Sequence, residues 1–514
     1  MKKTSVIFLL ILATQVANAQ TTFQKTYGST SYEYASHMCR TSDSGFVILG
    51  IKQGNIYLLR LDANCNMLWD KSLWSSNSPY GQCIQQTSDG GYIIGGSTTS
   101  SGAGLSDALY LKTDSAGNVQ WSKVLSNPTY NEFTTVLQTP DGGYICSGAF
   151  NNGNGGWSGV YLVKINSIGD TLWTKAIRSS FTAAANSLKL TNDNGFIITG
   201  PTYNSGDCIY VLKTDSMGNP LWAKTYGGST NDYGSEIQNT TDGGYVIVGS
   251  TTFGAGNSNI YLIKTDSLGA LIWSKSFGGP NYEFGSSILQ TNDGGYILTG
   301  FTTPLIGTYD IYIIKTDSAG DTLWTQTIIG GNKTDAGGNI FNTSDGGYVI
   351  LSDSDINGPS YDILIVKIDS LGNNNCNTGN TPIIVYSPLT QVTTPLVLIS
   401  NGGTILQPSF TTSIPGAITT LLCQSTSIEE SSLILSELNI YPNPTNGSIV
   451  ISSDRLITYG TIEIYSLLGE IISNVHISNA SRIDFMLENI PSGIYVIKLM
   501  EDKNIYYKKI TVEH

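Results

Sequence analysis

FQKTYGST, at residues 23–30, stands alone at the start of the chain, whereas its counterpart, WAKTYGGST at residues 222–230, ends a longer unit. Residues 1–19 precede it and combine a basic start, the apolar run SVIFLLILA and the small residues ANA. These features predict a signal peptide that is cleaved after Ala19. The exported chain would therefore begin with the end of a repeating unit.

A motif of Thr-x-Asp-x-Gly followed by Phe or Tyr recurs seven times at a nearly constant interval. Its acidic residues are Asp43, Asp89, Asp141, Asp193, Asp242, Asp293 and Asp345, spaced by 46, 52, 52, 49, 51 and 52 residues. A period of this size indicates an array of supersecondary units. Because Asp and Gly favour tight turns, we expect these aspartates to shape turns; a calcium or catalytic role is the alternative.

A second motif, typified by YLIKTDSLGALIW at residues 261–273, follows each first motif. In six units a Trp stands seven residues after the Asp of this second motif, or after the residue equivalent to that Asp. These residues are Trp69, Trp121, Trp173, Trp222, Trp273 and Trp324. One aromatic position repeated in register indicates core packing rather than a binding site. Strand-forming stretches between Gly, Asn and Asp turns predict four strands in each unit, and such units arranged radially form a β-propeller.

The seventh unit lacks its fourth strand, since Cys376 stands seven residues after Asp369, where Trp is expected. The N-terminal FQKTYG can supply this strand, with Phe23 in the Trp position. We therefore predict an all-β fold, a seven-bladed β-propeller closed by an N-terminal strand, which removes the free edges of an open array. An open β-solenoid is the alternative, and it would need no complementary first strand.

The repeat array resembles the propeller-type repeats of secreted bacterial proteins. Its Thr-x-Asp-x-Gly turn is similar to the Asp-box hairpin of sialidase propellers, although here the aromatic residue follows Gly directly. The Asp box is structural in sialidases, so the resemblance implies a fold and no activity. The predicted domains are a signal peptide at 1–19, the propeller at 20–373, a Thr/Pro/Ser-rich linker or small β module at 374–432, and a small C-terminal β-sandwich at 433–514.

The C-terminal segment alternates apolar and polar residues between Gly and Pro turns. Its motifs YPNP, IYSLLGEII, IPSGIYVIKL and KKITV resemble, in this order, the type A sorting domain of the type IX secretion system of Bacteroidetes. Over residues 433–514 the resemblance implies recognition by the outer-membrane translocon, removal of the domain, and release or attachment to surface lipopolysaccharide. The residues that carry it are Pro442, Asn443, Pro444, Gly447, Gly469, Gly493, Tyr495 and Lys509. An ordinary adhesive β-sandwich is the alternative.

Composition excludes some classes of partner. Charged residues make up 13% of the chain and the formal net charge is -13, so we expect no nucleic-acid partner. The leader's apolar run is too short to span a bilayer, and no transmembrane segment is predicted in the mature chain. Of seven cysteines, Cys376 and Cys423 flank one segment and are the disulfide candidates, with buried free thiols as the alternative. Three His without metal-ligand spacing indicate no metal or other cofactor.

Loops on one face of a propeller commonly carry its binding site, and the expected inter-blade loops hold acids at nearly one position. These acids are Glu33, Glu132, Asp232, Glu283 and Asp335, and the pattern breaks at Pro79 and Ala183. The aromatic residues of the same face include Tyr34, Tyr80, Phe133, Tyr233, Phe284, Trp157, Tyr203, Phe253, Tyr309 and Tyr361. One hypothesis is a ring of carboxylates and aromatic platforms for sugars or a cationic ligand. The alternative is repeated structure, in which each acid caps backbone amides or faces a repeated lysine such as Lys112 or Lys213.

These observations favour a binding or adhesion module without enzymatic activity, secreted or anchored on the outer cell surface, with carbohydrate or protein as its ligand. One alternative is a secreted hydrolase that acts on polysaccharide through the inter-blade carboxylates. Another is a structural surface-layer component. The sequence contains no Ser elbow, phosphate loop or dinucleotide fingerprint that would favour an enzyme.

Overall fold

The structure of the protein is a computed structural model. Outside the part of the chain that it describes lie residues 1–19, 30, 76–77, 100–105, 127–130, 152–158, 180–181, 204–206, 228–230, 255–257, 304–308, 329–337, 355–360, 375–377, 380–383, 387–390, 394–396, 401–403, 407–410, 414–417, 428–437, 447, 467–470, 487–490, 502–503 and 514. All secondary structure elements of the described residues are β-strands, which confirms the predicted fold class. The chain forms two compact units, Met1–Ile428 and Glu429–His514.

Seven antiparallel sheets of the first unit correspond to the seven sequence repeats. Blade 1 contains β2 (Glu33–Arg40), β3 (Phe46–Lys52), β4 (Asn55–Leu61) and β5 (Met67–Trp74). Blade 2 contains β6 (Tyr80–Gln86), β7 (Tyr92–Thr98), β8 (Asp107–Thr113) and β9 (Val119–Ser126). Blade 3 contains β10 (Asn131–Gln138), β11 (Tyr144–Phe150), β12 (Gly159–Ile165) and β13 (Thr171–Ser179).

The remaining blades repeat this pattern. Blade 4 contains β14 (Thr182–Ala183), β15 (Ser187–Leu190), β16 (Phe196–Tyr203), β17 (Ile209–Thr214) and β18 (Pro220–Gly227). Blade 5 contains β19 (Asp232–Asn239), β20 (Tyr245–Thr251), β21 (Asn259–Thr265) and β22 (Leu271–Gly278). Blade 6 contains β23 (Tyr282–Gln290), β24 (Tyr296–Thr303), β25 (Asp310–Thr316) and β26 (Thr322–Ile328). Blade 7 contains β27 (Ile340–Asn342), β28 (Tyr348–Ser354), β29 (Asp362–Ile368) and the N-terminal β1 (Gln20–Gly28).

The N-terminal strand closes the ring as the sequence predicts. β1 pairs with β29 in antiparallel register, with Phe23 opposite Lys367 and Tyr27 opposite Ile363. Phe23 and Tyr27 are buried in a core shared with residues of blade 1, Tyr57 among them. The seven-bladed propeller closed by an N-terminal strand is therefore confirmed.

The segment expected to be a linker or a small β module instead adds a fifth strand to each blade. Its strands are β30 (Thr378–Gly379), β31 (Ile384–Tyr386), β32 (Gln391–Thr393), β33 (Val397–Ser400), β34 (Thr404–Leu406), β35 (Thr411–Ser413) and β36 (Ile418–Ser427). They pair, in this order, with the outer strands of blades 6, 5, 4, 3, 2, 1 and 7. Their backbone groups thus complete the outer edges of the propeller. Cys376 lies outside the described residues, so its disulfide with Cys423 stays a prediction.

The Thr-x-Asp-x-Gly motifs form turns, as expected. In blade 3, Asp141 Oδ1 accepts hydrogen bonds from the Thr139 hydroxyl at 2.5 Å and from the Gly143 N–H at 3.0 Å. Lys164 Nζ lies 2.8 Å from Asp141 Oδ2. Burial opposes ionisation, but hydrogen bonds from Lys164 and Thr139 lower the pKa of Asp141 to about 2. Each blade repeats this ion pair, with Arg60 in place of Lys in blade 1, so the repeated cations face the turn aspartates and not the inter-blade acids.

The repeated Trp packs one blade against the next. The Trp69 ring lies beside Tyr92 of blade 2, at 6.2 Å between centroids, and covers the turn at Gly117. Gly117 has φ +77, and a Cβ placed there would lie 2.9 Å from the Trp69 ring. Both the backbone conformation and the close contact therefore require glycine. The same Trp contact recurs at Gly169, Gly218, Gly269, Gly320 and Gly372.

The seam where blade 7 meets blade 1 departs from this rule on both sides. Phe23 replaces Trp, and Cys65, with φ 55, occupies the place of the turn glycine. The two side chains belong to one core cluster, and the Tyr27 hydroxyl donates a hydrogen bond to the Cys65 carbonyl. A smaller ring from the N-terminal strand thus leaves space for a side chain in the turn.

The second unit is an antiparallel sheet wrapped around its own core. Its strands are β37 (Leu438–Tyr441), β38 (Ser448–Ser466), β39 (Ile471–Met486), β40 (Gly493–Glu501) and β41 (Asn504–Val512). The long β38–β39 hairpin changes register between Ser452 and Ile457. Residues from both sides of this irregularity, such as Ile451 and Ile464, share one buried cluster, as expected of a small sandwich.

The residues that carry the sorting resemblance lie in several parts of this unit. Pro442 and Pro444 follow cis peptide bonds and flank Asn443, whose Oδ1 accepts a hydrogen bond from the Thr511 N–H at 2.8 Å. Gly493 begins β40, and the buried Tyr495 donates a hydrogen bond to the Pro491 carbonyl at 2.8 Å. Lys509 lies in β41 opposite Val496. Gly447 and Gly469 lie outside the described residues.

Candidate functional site

The inner strands begin on the loop side with the acids singled out in the sequence. Glu33, Asp232 and Glu283 hold equivalent places: each donates its backbone N–H to a carbonyl of the preceding middle loop. Asn131 holds the same place in blade 3. All four residues are at most 1% exposed. The structure thus differs from the expected ring of accessible carboxylates, because these side chains are enclosed between blades.

Two of the buried acids, Glu33 and Glu283, have structural partners nearby. Glu33 Oε1 lies 2.7 Å from Lys52 Nζ, and both side chains are buried. Glu283 accepts hydrogen bonds from the Thr302 hydroxyl at 3.2 Å and from the Gly279 N–H at 3.3 Å. Burial raises the pKa of Glu283 in spite of these two bonds. Glu283 thus accepts a hydrogen bond from a backbone amide, as the alternative interpretation expects, whereas Glu33 meets Lys52, which is not one of the repeated lysines.

The remaining predicted site residues fall in different environments. Glu132 follows the buried position by one residue and accepts a hydrogen bond from Gln82 Nε2 at 2.9 Å; its burial raises its pKa. Phe133 is fully buried and stacks on Tyr161 at 6.3 Å, so its ring belongs to the core. Asp335 and Trp157 lie outside the described residues.

Aromatic residues follow the buried acid in three blades, at Tyr34, Tyr233 and Phe284, and Tyr80 has the equivalent position in blade 2, where it follows Pro79. Tyr233 donates a hydrogen bond to Asp207 Oδ2 at 2.6 Å. Phe284 stacks on Phe301 at 4.8 Å, and Phe301 in turn meets Tyr309 edge-on at 4.8 Å. Tyr34 and Tyr80 are exposed, at 38% and 44%. The loop face therefore presents aromatic rings of unequal accessibility.

Three tyrosines gather where blade 7 meets blade 1, and we call this group the tyrosine platform: Tyr32, Tyr34 and Tyr361. Tyr32 and Tyr34 are stacked, with 6.4 Å between centroids and 8° between planes. The ring centroids of Tyr34 and Tyr361 are 5.1 Å apart. Tyr32 is 53% exposed. Flat rings that stay accessible while packing on one another form a surface prepared for a planar apolar ligand face.

A carboxyl group that breaks the repeat lies beside the platform. Asp353 is in β28, at the position that the other blades fill with Ile51, Ser97, Ala149, Pro201, Ser250 and Phe301. Its Oδ1 accepts a hydrogen bond from the Ala35 N–H at 2.6 Å, next to Tyr34. Burial raises the pKa of Asp353 to about 7, against the effect of that hydrogen bond. The pKa of Tyr34 is raised, mainly by burial and then by the nearby Tyr361, Tyr32 and Asp353. Near neutral pH this site can offer a carboxyl proton or a charge.

Replacing Asp353 with Asn is expected to remove a pH dependence of stability. The pKa of Asp353 is about 7 in the folded state, and its ordinary value is 3.8. Asp353 therefore contributes its full stabilisation below pH 3.8, where it is protonated, and this contribution is lost as the pH rises through 7. Asn keeps an acceptor for the Ala35 N–H and carries no charge. The stability advantage of D353N over the parent should therefore grow by about 2.6 kcal/mol between pH 5 and pH 8. Urea unfolding at both pH values measures it, and parallel pH profiles would contradict it.

The inner wall of the ring encloses a central cavity of about 260 Å³. Equivalent residues of the seven inner strands line it, namely His37, Cys83, Thr135, Ser187, Glu236, Ser287 and Asn339. Asn339 Oδ1 accepts a hydrogen bond from the Met38 N–H of the next blade at 2.8 Å. Such contacts satisfy backbone donors that face the cavity and have no strand beside them.

Glu236 makes the most extensive contact of this kind. It accepts hydrogen bonds from Lys189 at 2.9 Å, from the Ser287 hydroxyl at 2.8 Å and from the Ile288 N–H at 3.0 Å, and so connects blades 4, 5 and 6. Burial raises its pKa, but Lys189 outweighs this effect and the net pKa is lowered. Burial and then Lys189 lower the pKa of His37 to about 4, so it is neutral at physiological pH. These polar groups serve the contacts between blades.

Sequence reasoning missed Asp353, although the repeat contained the signal. An alignment of the seven repeats places an acid eight residues after the motif Asp in the last repeat alone. Among the described residues, no three His, Cys, Asp or Glu side chains converge as metal ligands would. Within the same part of the chain there is no helix of the length and apolarity needed to cross a membrane.

Residues 439–513 match the family model described as a secretion system C-terminal sorting domain. This confirms the resemblance carried by the C-terminal motifs. The sorting domain implies export by the type IX secretion system and a place on the outer surface or outside the cell.

Similarity to curated proteins covers a small part of the chain. The chain is 30% identical over 92 residues to an endo-acting ulvan lyase of Formosa agariphila and 30% identical over 97 residues to the ulvan lyase NLR42 of Nonlabens ulvanivorans. These matches span 18% and 17% of this chain, and 17% of the length of each relative.

Solved structures similar to this chain include a Dyadobacter fermentans protein of unknown function. The TM-score is 0.39 and the sequence identity is 9%, and the similarity covers 68% of this chain and 99% of the Dyadobacter protein. Sqt1 from Chaetomium thermophilum also has a TM-score of 0.39, at 10% identity, covering 64% of this chain and 81% of its own. Because these TM-scores are low, the assignment of the fold rests on the strand pairing described above.

Proposed function

We propose that this protein is an exported carbohydrate-binding propeller and that its ligand lies on the tyrosine platform beside Asp353. The sorting domain supports an extracellular place of action. The single observation that carries the proposal is the asymmetry of the loop face: one blade junction combines three contacting tyrosines with a carboxyl group that the repeat does not require.

The chemistry of the platform suits a sugar ring. The faces of Tyr32 and Tyr34 can pack against the C–H groups of a pyranose, and their hydroxyls remain available to donate or accept hydrogen bonds. Asp353 can bind a sugar hydroxyl as acceptor when ionised and as donor when protonated. Pockets that hold polar ligands combine apolar surface with a few placed polar groups in this way.

Replacing Tyr34 with Ala is expected to weaken carbohydrate binding by at least about tenfold, because the central ring of the platform is lost and about 1.4 kcal/mol corresponds to that factor. The measurement is a glycan array on the full chain, followed by titration calorimetry with the best ligand. Tyr80→Ala is the matched control, since Tyr80 has the equivalent position in blade 2 and a similar exposure. Equal affinities of Tyr34→Ala and the parent, or an equal loss in Tyr80→Ala, would contradict the assignment.

A secreted hydrolase is the second candidate, favoured by the pKa of Asp353. A carboxyl group with a pKa of about 7 is suited to general acid catalysis near neutral pH. The acids first considered for this role, Glu33 and Glu283, are enclosed. Hydrolysis of a bound polysaccharide by the parent, lost in D353N while binding remains, would establish the enzyme; binding without turnover in the parent would exclude it for that ligand.

A further inference from the structure

Residues 378–427, here called the strap, contain seven strands that pair in turn with the seven blades of the propeller. These strands begin at residues 378, 384, 391, 397, 404, 411 and 418, so successive strands start six or seven residues apart. With about 4.8 Å between strands, the outer strand of a blade lies roughly 20 Å from the ring axis, and one-seventh of that circumference is about 18 Å. A stretch of six or seven residues can reach at most about 20–23 Å, which is enough for this distance. The pairing of successive strap strands with successive blades agrees with this spacing.

The last strap strand differs from the others in length and in partner. β36 covers the whole of β1, from Gln20 opposite Ser427 to Gly28 opposite Ile418. The other six strands cover two to four residues each; β35, for example, pairs only with Ser72–Trp74 of β5. Among the outer blade strands in the part of the chain that the structure describes, β1 alone is therefore paired along the whole of its outer side.

Side chains of β1 add to this enclosure. Gln20 donates a hydrogen bond to the Asp345 carbonyl at 2.6 Å and accepts one from the Ser370 N–H at 2.9 Å. The Thr22 hydroxyl donates to the Asn374 carbonyl at 3.0 Å, at the point where the chain leaves blade 7 toward the strap. The beginning of β1, the end of blade 7 and the end of the strap thus meet in one place.

We propose that the strap is the closing element of the propeller: β36 clasps β1 against β29, and the ring becomes kinetically stable only when this last strand has paired. Without β36, β1 would be a terminal edge strand held by one neighbour, and such strands fray readily. With β36, β1 becomes an internal strand of a five-stranded sheet. Completion of the ring then depends on β36, the last strand of the strap, which ends at Ser427, before the sorting domain matched at residues 439–513. This inference does not depend on the proposed ligand.

The direct test replaces residues 418–427 of the full chain with a Gly/Ser stretch of equal length. We expect amide hydrogen exchange in peptides covering β1, and global unfolding in urea, to become at least about tenfold faster. The control replaces Thr404–Leu406 of the strap with Gly-Ser-Gly; because this strand pairs only with β9, exchange in β1 should stay at the parent rate. Parent-like protection of β1 in the first variant would overturn the proposal.

A second measurement keeps the proposal testable if the first variant does not fold. Thr21 and Thr426 lie directly opposite each other in the β1–β36 pair. In Thr21→Cys/Thr426→Cys, mild oxidation should join the two strands and slow unfolding at least about tenfold. Thr21→Cys/Thr404→Cys is the control, since Thr404 pairs in blade 2, and it should form no such link. No cross-link in the first pair, or a link without slower unfolding, would overturn the proposal.

Discussion

Deletion of Thr21–Gly28 is expected to abolish the cooperative fold of the whole propeller, not of one blade. The deletion removes Phe23 and Tyr27 from the core between blades 7 and 1 and leaves both β29 and β36 without their common neighbour. The lost contacts destabilise the whole ring, because each blade packs against the next and an opened ring exposes the packing faces of its two terminal blades to water. Near-ultraviolet circular dichroism and urea titration of the full chain should show no native transition.

A sequence exchange provides the matched control for this deletion. Replacing FQKTYG at residues 23–28 with WAKTYG, which closes blade 4, should preserve the fold when Cys65 is changed to Gly at the same time. The exchange restores at the seam the Trp-on-glycine contact of the other blades. A deleted chain that unfolds with the midpoint and cooperativity of the parent would refute the closure of the ring by β1.

Replacing Glu33 with Ala is expected to destabilise the propeller by about 3–5 kcal/mol, because it leaves the Lys52 ammonium buried without its counter-charge. The Glu33 carboxylate lies 2.7 Å from Lys52 Nζ, and the two side chains are 0% and 7% exposed. Lys52 also lies over the Tyr57 ring at 5.4 Å, so the charge cannot reach water without disturbing the core. Equilibrium unfolding in urea measures the loss.

The control for this prediction removes both charges. In Glu33→Ala/Lys52→Met no ion remains to be buried, and most of the lost stability should return, since apolar replacement of a buried pair is often close to neutral. If Glu33 served a ligand and not the fold, the single variant would keep parent stability and lose binding. That outcome would restore the first interpretation of the inter-blade acids.

The buried acids show where a repeat pattern misleads. Glu33, Asp232 and Glu283 recur at one position beside aromatic residues, and this pattern fits a ligand-binding ring as well as a packing device. The sequence gives their type and spacing, but whether a side chain faces water depends on how the neighbouring blade covers it. The repeated lysines posed the same difficulty: they contact the turn aspartates one strand away.

Asp353 illustrates the opposite error, in which the sequence analysis overlooks a residue that departs from the repeat. Its register in the seventh repeat shows that it is an exception, but its contact with Ala35 crosses from blade 7 to blade 1 and joins residues more than 300 positions apart. The tyrosine platform has the same origin, since Tyr361 meets Tyr34 only because the ring closes.

By itself, the sequence determined the number of blades, the turns and the closing role of FQKTYG, because each depends on a local pattern repeated at constant spacing. The path of the strap, the burial of the acids and the place of Asp353 were decided only by the tertiary structure. Strap strands of two to four residues have too little pattern to be recognised, and they exist because blade edges offer unpaired hydrogen-bonding groups. Such edges form only after the repeats have closed into a ring.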